Sequence, residues 1–159
     1  MDALKALMKD FDPAALVPDV NKVLDKAESL IRLAIMAAPL VLLGLGLLYL
    51  LAPPSEANHL FGYRHFWGMA SVEAWQFTQK TAGMVWGGLG LVLTVVMAFI
   101  CNGYRDLAWE DMMMSAFKGV VVELVLVVLS TFLINALVIF RYDRKGSRRA
   151  NRTLRSKAK

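Results

Sequence analysis

The sequence is poor in the residues on which most catalytic and metal-binding sites depend. It has one cysteine, Cys101, and two histidines, His59 and His65, so an intramolecular disulfide and a metal site built from cysteines alone are excluded. The histidines, taken with Glu56 and Glu73, lack the i, i+4 helical spacing of zinc ligands. No Gly-x-Ser-x-Gly, phosphate-binding loop or redox cysteine pair is present. We therefore expect a protein that is not an enzyme and that uses no metal or cofactor.

Charge is also nearly absent from three long runs. Residues 33–52 and 81–101 contain no Asp, Glu, Lys or Arg, and residues 119–140 contain only Glu123. A helix needs about 20 residues to cross a hydrocarbon core about 30 Å thick, and each run is about this long. The runs are apolar on all sides, whereas the helices of a soluble bundle would have polar outer faces. With a hydrophobic content of 57%, the sequence predicts an all-α integral membrane protein with three transmembrane helices.

Residues 1–32 precede the first run as an N-terminal amphipathic segment. They do not fit a cleavable signal peptide, because the apolar run comes only after them and ends in Ala-Pro-Pro. Apolar side chains at helical spacing in residues 1–11 predict a short helix in the head-group plane. Pro18 then predicts a helix start that leads into the first span, with an ion pair between Glu28 and Arg32. A poorly ordered terminus is the alternative for the whole segment.

The net charge of +5 arises mainly at the other end, in the basic C-terminal tail formed by residues 141–159. Such a tail is typical of a cytoplasmic anchor on anionic lipid, and this interpretation is favoured over nucleic-acid binding. Three spans place the tail on the same side as the loop before the second span, and Lys and Arg are more numerous there than on the opposite side. The C-terminus is therefore predicted to be cytoplasmic and the N-terminus to lie outside.

The second span carries a strip of small residues down one side. Gly83, Gly87 and Gly90 begin this strip, and Gly83 to Gly87 is a GxxxG pair. Small residues let two helix backbones approach closely. We expect close packing at these glycines, and packing within the chain is favoured over packing onto a second copy.

The third span contains polar side chains. An acid inside a span normally faces protein or water and marks function. Because Glu123 lies about one turn inside the run, two interpretations stay open: a functional carboxyl, or one that reaches the head groups or pairs with Lys118 or Arg105. Asn135 is interpreted as a helix-to-helix hydrogen bond rather than a ligand. The spans lack the paired charges expected of an ion pathway.

Between the first two spans lies a polar, aromatic-rich stretch. Arg64 supplies a planar fork that binds phosphate or carboxylate bidentately, and next to a membrane such groups belong to lipids or to acidic partners. Ser71 is placed to cap a helix, and Glu73 would lie in its first turn. The aromatic residues are of the kind that settle at the bilayer interface, namely Tyr63, Trp67, Trp75 and Trp86.

This stretch resembles the signature of the bacterial SdpI/YfhL family, which has Asn-x-x-(Ile/Phe)-Gly-(Ile/Tyr)-Arg, a Ser-x-Glu-x-Trp run and a Gly-containing span. Residues 33–140 would then form an SdpI-like three-span domain. His65 replaces the Thr or Ser that many members have. Residues 1–32 do not match the family pattern, which suggests a subgroup with its own partner or role. The matching positions are Asn58, Phe61, Gly62, Tyr63, Arg64, Met69, Ser71, Glu73, Trp75, Phe77, Gln79 and Gly83.

The resemblance implies a binding function without chemistry. The family's namesake is an immunity protein against a secreted membrane-active peptide toxin, and it also signals by drawing a transcriptional repressor to the membrane. The implied motif residues are Asn58, Gly62, Tyr63, Arg64, Glu73 and Trp75. Gly62 would permit a turn, and Arg64 and Glu73 would form a charge pair or bind a partner. Tyr63 and Trp75 would pack the loop against the bilayer.

Two other functions stay open. The chain could be a small membrane scaffold or accessory subunit that packs through its glycine strip, as a homo-oligomer or with other chains, and recruits partners through its tail. A transporter component is the less favoured third function. The expected partners under the first function are the lipid bilayer, a peptide toxin and a cytoplasmic regulator.

Overall fold

A computed structural model describes residues 20–58 and 60–149. Three long α-helices dominate it: α1 at Val20–Leu51, α2 at Val72–Asn102 and α3 at Trp109–Arg141. Short 3-10 turns at Gly68–Ala70 and Gly103–Asp106 lie in the two connections. The predicted amphipathic helix in residues 1–11, His59 and the tail from residue 150 onward lie outside the described residues.

The three-span, all-α prediction is confirmed, but the helices are longer than the apolar runs. They contain 32, 31 and 33 residues, which corresponds to lengths of about 46–50 Å. Each helix therefore continues past a hydrocarbon core of about 30 Å. The extra turns carry charged residues such as Lys26 and Glu110. Charge does not prevent these turns from forming, because backbone hydrogen bonds are enough to continue a helix beyond the apolar run.

Local sequence explains where α2 begins. Ser71 is the N-cap, and its hydroxyl accepts a hydrogen bond of 3.1 Å from the Ala74 N–H. Glu73 lies in the first turn, where a carboxylate favours the positive end of the helix dipole. Both features agree with the sequence analysis.

By internal packing the chain divides into one unit that ends at Ala34 and a second that begins at Ile35. Within the first, Arg32 Nε donates to Glu28 Oε1 over 2.8 Å, which confirms the predicted ion pair. The second unit contains the C-terminal half of α1, both connections, α2 and α3. It holds the glycine strip and all the motif residues.

The glycine strip of α2 packs against α1. A β-carbon added to Gly46 of α1 would overlap the backbone nitrogen of Gly87, and one added to Gly90 would overlap the backbone of Leu43. A β-carbon at Gly83 would lie 2.9 Å from Leu50 Cγ. The small residues therefore serve a close approach of two helices of the same chain.

The outer surfaces of the helices remain apolar and exposed. Less than a third of the most apolar window of each helix is buried within the chain. Large apolar side chains point outward along α2 and α3, so a lipid environment is required to cover them. The most exposed of them are Leu91, Val92, Phe99, Phe117, Leu124, Leu129, Phe132 and Phe140.

Candidate functional site

The connection between α1 and α2, residues 52–71, is called the first loop here, and its main chain is held by one side chain of α2. The N–H of Tyr63 donates to Gln79 Oε1 over 2.7 Å, and Gln79 Nε2 donates to the Tyr63 carbonyl over 2.8 Å. Gln79 is fully buried. A primary amide has both a donor and an acceptor, so it satisfies both backbone groups of one residue. Gln79 thus fixes the loop at the motif position.

Gly62 is required beside this clamp for two reasons. Its φ is +114°, a region that side-chain-bearing residues rarely adopt. An added β-carbon would also lie 2.8 Å from Trp75 Cζ2 and 3.0 Å from Gln79 Oε1. The turn expected at Gly62 is therefore present, and it brings the loop backbone down onto the side chains of α2.

The Tyr63 side chain ties the loop to α3. Its hydroxyl donates to Asn135 Oδ1 over 2.7 Å, and its ring meets Trp86 edge-on with centroids 5.2 Å apart. Burial raises the pKa of Tyr63 above its usual value, so the phenol stays neutral and keeps its donor. Asn135 therefore makes its hydrogen bond to the loop, whereas the sequence analysis expected one to another helix.

Trp75 closes the other side of the loop. Its ring is fully buried, and its indole N–H donates to the carbonyl of Pro54 over 2.9 Å. Packing of Tyr63 and Trp75 against the bilayer is therefore not what the structure shows, because both rings are enclosed by the chain. Their polar atoms find partners in Asn135 and Pro54 instead of lipid head groups.

Asn58 organises a local turn. Its Oδ1 accepts from the N–H groups of Leu60 and Phe61 at 3.0 and 2.8 Å, which is how asparagine side chains stabilise turns. Its amide also donates to the Glu56 carbonyl over 3.2 Å. Asn58 thus shapes the approach to Gly62.

Arg64 follows Tyr63 but is exposed. Its guanidinium lies within electrostatic range of the Tyr49 hydroxyl. Three apolar side chains of the same loop are also exposed: Leu60 at 96%, Phe61 at 40% and Phe66 at 74%. The loop therefore presents a cation beside an apolar surface, which we call the Arg64 surface.

Glu73 forms an ion pair with Arg148. Arg148 Nε and Glu73 Oε1 are 2.5 Å apart, and both side chains are about half exposed. The sequence predicts that Arg64 and Glu73 form a charge pair or bind a partner, and the structure pairs Glu73 with Arg148. An exposed pair of this kind contributes little to stability, because water and salt screen the attraction.

The residues after α3 form a tight turn, residues 142–149, which we call the C-terminal turn. Tyr142 and Arg148 form an isolated β-bridge, and Asp143 Oδ1 accepts from the N–H groups of Lys145 and Ser147 at 2.9 Å each. This turn was not predicted from the sequence, in which residues 141–159 were interpreted as a tail. Asp143 and Gly146 are the turn-forming residues that could have indicated it.

The C-terminal turn docks on the start of α2. Ser71 Oγ donates to the Gly146 carbonyl over 2.8 Å. Gly146 has φ +72°, and an added β-carbon would lie 2.6 Å from Ser71 Oγ. The guanidinium of Arg149 lies over the Trp67 ring, 5.7 Å from its centroid. The first loop and the C-terminal turn thus form one layer at the same end of the second unit.

His65 and Glu123 are two further titratable residues of the chain. Burial lowers the pKa of His65, which favours the neutral imidazole. Glu123 is only 3% exposed, so it faces the interior of the chain. Among residues 20–58 and 60–149, no three His, Cys, Asp or Glu side chains come together as metal ligands.

Comparison with known proteins assigns the family. The model of the SdpI/YfhL protein family matches residues 55–139, just over half of the chain. This range includes the first loop from Ser55, all of α2 and nearly all of α3. No curated protein and no solved structure matches the chain. With the motif residues gathered at the loop and the family model spanning the helices around it, the chain belongs to the SdpI/YfhL family.

Proposed function

We propose that the protein acts without chemistry in immunity to, or sensing of, a membrane-active peptide toxin, and that the Arg64 surface is its binding site. The observation that carries the proposal is the contrast within one motif. Tyr63 and Trp75 are buried and hold the loop, whereas Arg64 between them is exposed.

The fixed loop makes Arg64 a prepared binding group. Its backbone neighbour Tyr63 is clamped by Gln79, so binding need not order the main chain, and this lowers the entropic cost of association. A guanidinium recognises carboxylate or phosphate through two parallel hydrogen bonds. Exposed Leu60 and Phe66 supply apolar contacts for an amphipathic peptide at the bilayer interface.

The charge distribution supports a cytoplasmic position for this surface. The C-terminal turn touches the start of α2, so the basic tail begins at the same end as the Arg64 surface. Positive residues favour the cytoplasmic side. A toxin that has inserted into the bilayer would then meet the surface from the inner leaflet, and the tail would be available to a cytoplasmic regulator.

A membrane scaffold or accessory subunit is the second candidate function, and a transporter component is a weaker third. The exposed basic residues of the C-terminal turn, such as Arg144 and Lys145, favour recruitment of a partner. The glycine strip favours it less, because Gly83, Gly87 and Gly90 already pack against α1 of the same chain. A homo-oligomer would have to use the exposed faces of the helices instead.

Substitution of Arg64 tests the proposal. In a host challenged with a panel of anionic and neutral membrane-active peptides, we expect the wild-type chain to reduce membrane depolarisation and Arg64→Ala to abolish that protection. Arg64→Lys should retain only a small part, because an ammonium cannot bind bidentately. The unfolding free energy of Arg64→Ala should stay within about 0.5 kcal/mol of wild type, as for most surface changes.

Lys80→Ala is the matched control, since it removes an exposed cation from α2. It should leave protection unchanged. If Arg64→Ala protects as well as Lys80→Ala, the Arg64 surface is not the binding site. If the wild-type chain protects against no peptide and a tagged tail captures a membrane complex, the scaffold function replaces immunity.

A further inference from the structure

Glu123 lies on the inward-facing side of α3. Buried residues recur along this side at helical spacing, including Ala116, Gly119, Ser130 and Ile134. Glu123 shares their burial with 3% of its surface exposed, and its Oε1 is enclosed without a hydrogen-bond partner among the described residues. A buried polar atom without a partner is uncommon and calls for a physical explanation.

Two contacts fix the depth of Glu123 in the bundle. One turn before it, Gly119 faces α2, where a β-carbon would lie 3.6 Å from Met97 Sδ. Two turns after it, the Ser130 hydroxyl accepts from Trp86 Nε1 over 3.1 Å. Because α2 and α3 run in opposite directions, Glu123 lies at the level of Leu93, one turn from Met97.

At the same level α1 contains a proline. Gly90 of α2 packs on Leu43 of α1. Pro39 lies one turn before Leu43 on α1, and its side chain is fully buried. Proline has no N–H, so the carbonyl of Ile35 loses its usual helical donor. The Glu123 carboxyl thus lies at the depth of Pro39, and the Ile35 carbonyl lies within about one helical turn of that depth.

In α1 and α2, no Lys or Arg at the level of Glu123 is available to neutralise a charged carboxylate there. Between Ile35 and Tyr49, α1 has no ionisable residue, and between Lys80 and Cys101 neither does α2. On α3 itself the closest basic residue is Lys118, which is exposed. An isolated carboxylate at such a position is strongly unfavourable, whereas the neutral acid supplies a proton donor for a nearby acceptor.

We propose that Glu123 is an intramembrane proton-binding site, in which the neutral carboxyl donates to the carbonyl that Pro39 leaves without its helical donor. The proton is released only when the bundle opens enough for water to reach the carboxyl. The site is separate from the Arg64 surface and does not depend on the function proposed for it.

Dicyclohexylcarbodiimide, an apolar reagent that adds to protonated carboxyls, tests the site in the full-length protein in lipid vesicles. We expect one adduct per chain on the peptide containing Glu123, and none on Glu123→Gln. Glu110→Gln, which removes an exposed acid from the same helix, should keep the adduct. The labelling rate should change less than about twofold between about pH 6 and about pH 8, whereas a carboxyl with the ordinary pKa of glutamate would lose about 100-fold.

Two results of the labelling would overturn the proposal. A loss of about 100-fold over this pH range would mean that the carboxyl is ionised at neutral pH. Protection by sodium chloride relative to choline chloride would mean that the site holds a metal cation instead of a proton.

If the reagent does not reach Glu123, infrared spectroscopy shows whether its carboxyl is protonated. The wild-type protein should show the carbonyl stretch of a protonated carboxyl, and Glu123→Gln should lack it. Pro39→Ala restores an N–H to the Ile35 carbonyl, so it should move this band to higher frequency by removing the acceptor. No such band in the wild-type protein overturns the site, and a band unmoved by Pro39→Ala overturns the role of the Ile35 carbonyl.

Discussion

Replacing Gln79 with alanine is expected to lower the free energy of unfolding by about 3 kcal/mol and to loosen the first loop. The substitution removes both partners of the Tyr63 main chain, whose N–H and carbonyl are paired with Gln79 at 2.7 and 2.8 Å. Each buried backbone group left unpaired costs about 1–3 kcal/mol. The loss should appear as a lower midpoint of thermal unfolding in mild detergent.

Trypsin reports on the loop itself in the same variant. The bond after Arg64 adjoins the clamped residue, so it should be cut slowly in the wild-type protein and much faster in Gln79→Ala. Gln76→Ala is the matched control, because Gln76 lies on the same helix and is exposed. Equal stability and equal cleavage in the two variants would show that the clamp does not hold the loop.

Replacing Gly46 with alanine should have a comparably large effect at the contact between α1 and α2. The new β-carbon would overlap the backbone of Gly87 and Trp86, and backbone atoms cannot rotate away as a side chain can. The two helices must then separate, at a cost of about 2–3 kcal/mol by analogy with overpacked cores. The unfolding midpoint in detergent should fall accordingly.

The chain offers two controls for this prediction. Gly44→Ala places its methyl group in open space on the same helix, and Gly87→Ala meets its first neighbour at 3.7 Å, an ordinary contact. Both should be neutral or slightly stabilising, since alanine favours helix by up to about 1 kcal/mol over glycine. If Gly46→Ala is as stable as Gly44→Ala, the helices do not approach at the glycines as described.

The three spans could be predicted from sequence because lipid selects for long runs without charge. The helix ends could not be predicted from those runs. Trp109 begins α3 about three turns before its apolar run, because charged residues outside the hydrocarbon continue a helix at little cost.

The motif residues could be identified from sequence, but most of their contacts could not. Tyr63 and Trp75 were assigned to the bilayer interface because their ring type is common there, and sequence does not show whether a polar ring atom meets a head group or a partner in the chain. Asn135, the partner of Tyr63, lies far from it along the chain. The partner of Trp75 is the main-chain carbonyl of Pro54, and the sequence does not show which carbonyl an indole will meet. Gln79 was identified only as a position that matches the family signature, since its pairing with the loop backbone depends on the fold.

The C-terminal turn was missed for a related reason. A high density of Lys and Arg after Arg141 is typical of a solvated tail. The segment was therefore interpreted as a tail, although Asp143 and Gly146 form a turn within it. Its docking onto Ser71 links residues that are far apart in sequence. The same docking explains why Glu73 pairs with Arg148.

The sidedness of the first loop tests most directly the claim that the Arg64 surface faces the cytoplasm. In a Cys101→Ser background, single cysteines would be placed by Leu60→Cys and Leu107→Cys, whose side chains are 96% and 43% exposed in the first and second connections. With a membrane-impermeant thiol reagent, we expect the first to react only after lysis and the second in intact cells. Reaction of Leu60→Cys in intact cells, with Leu107→Cys protected until lysis, would contradict the account and place Arg64 outside.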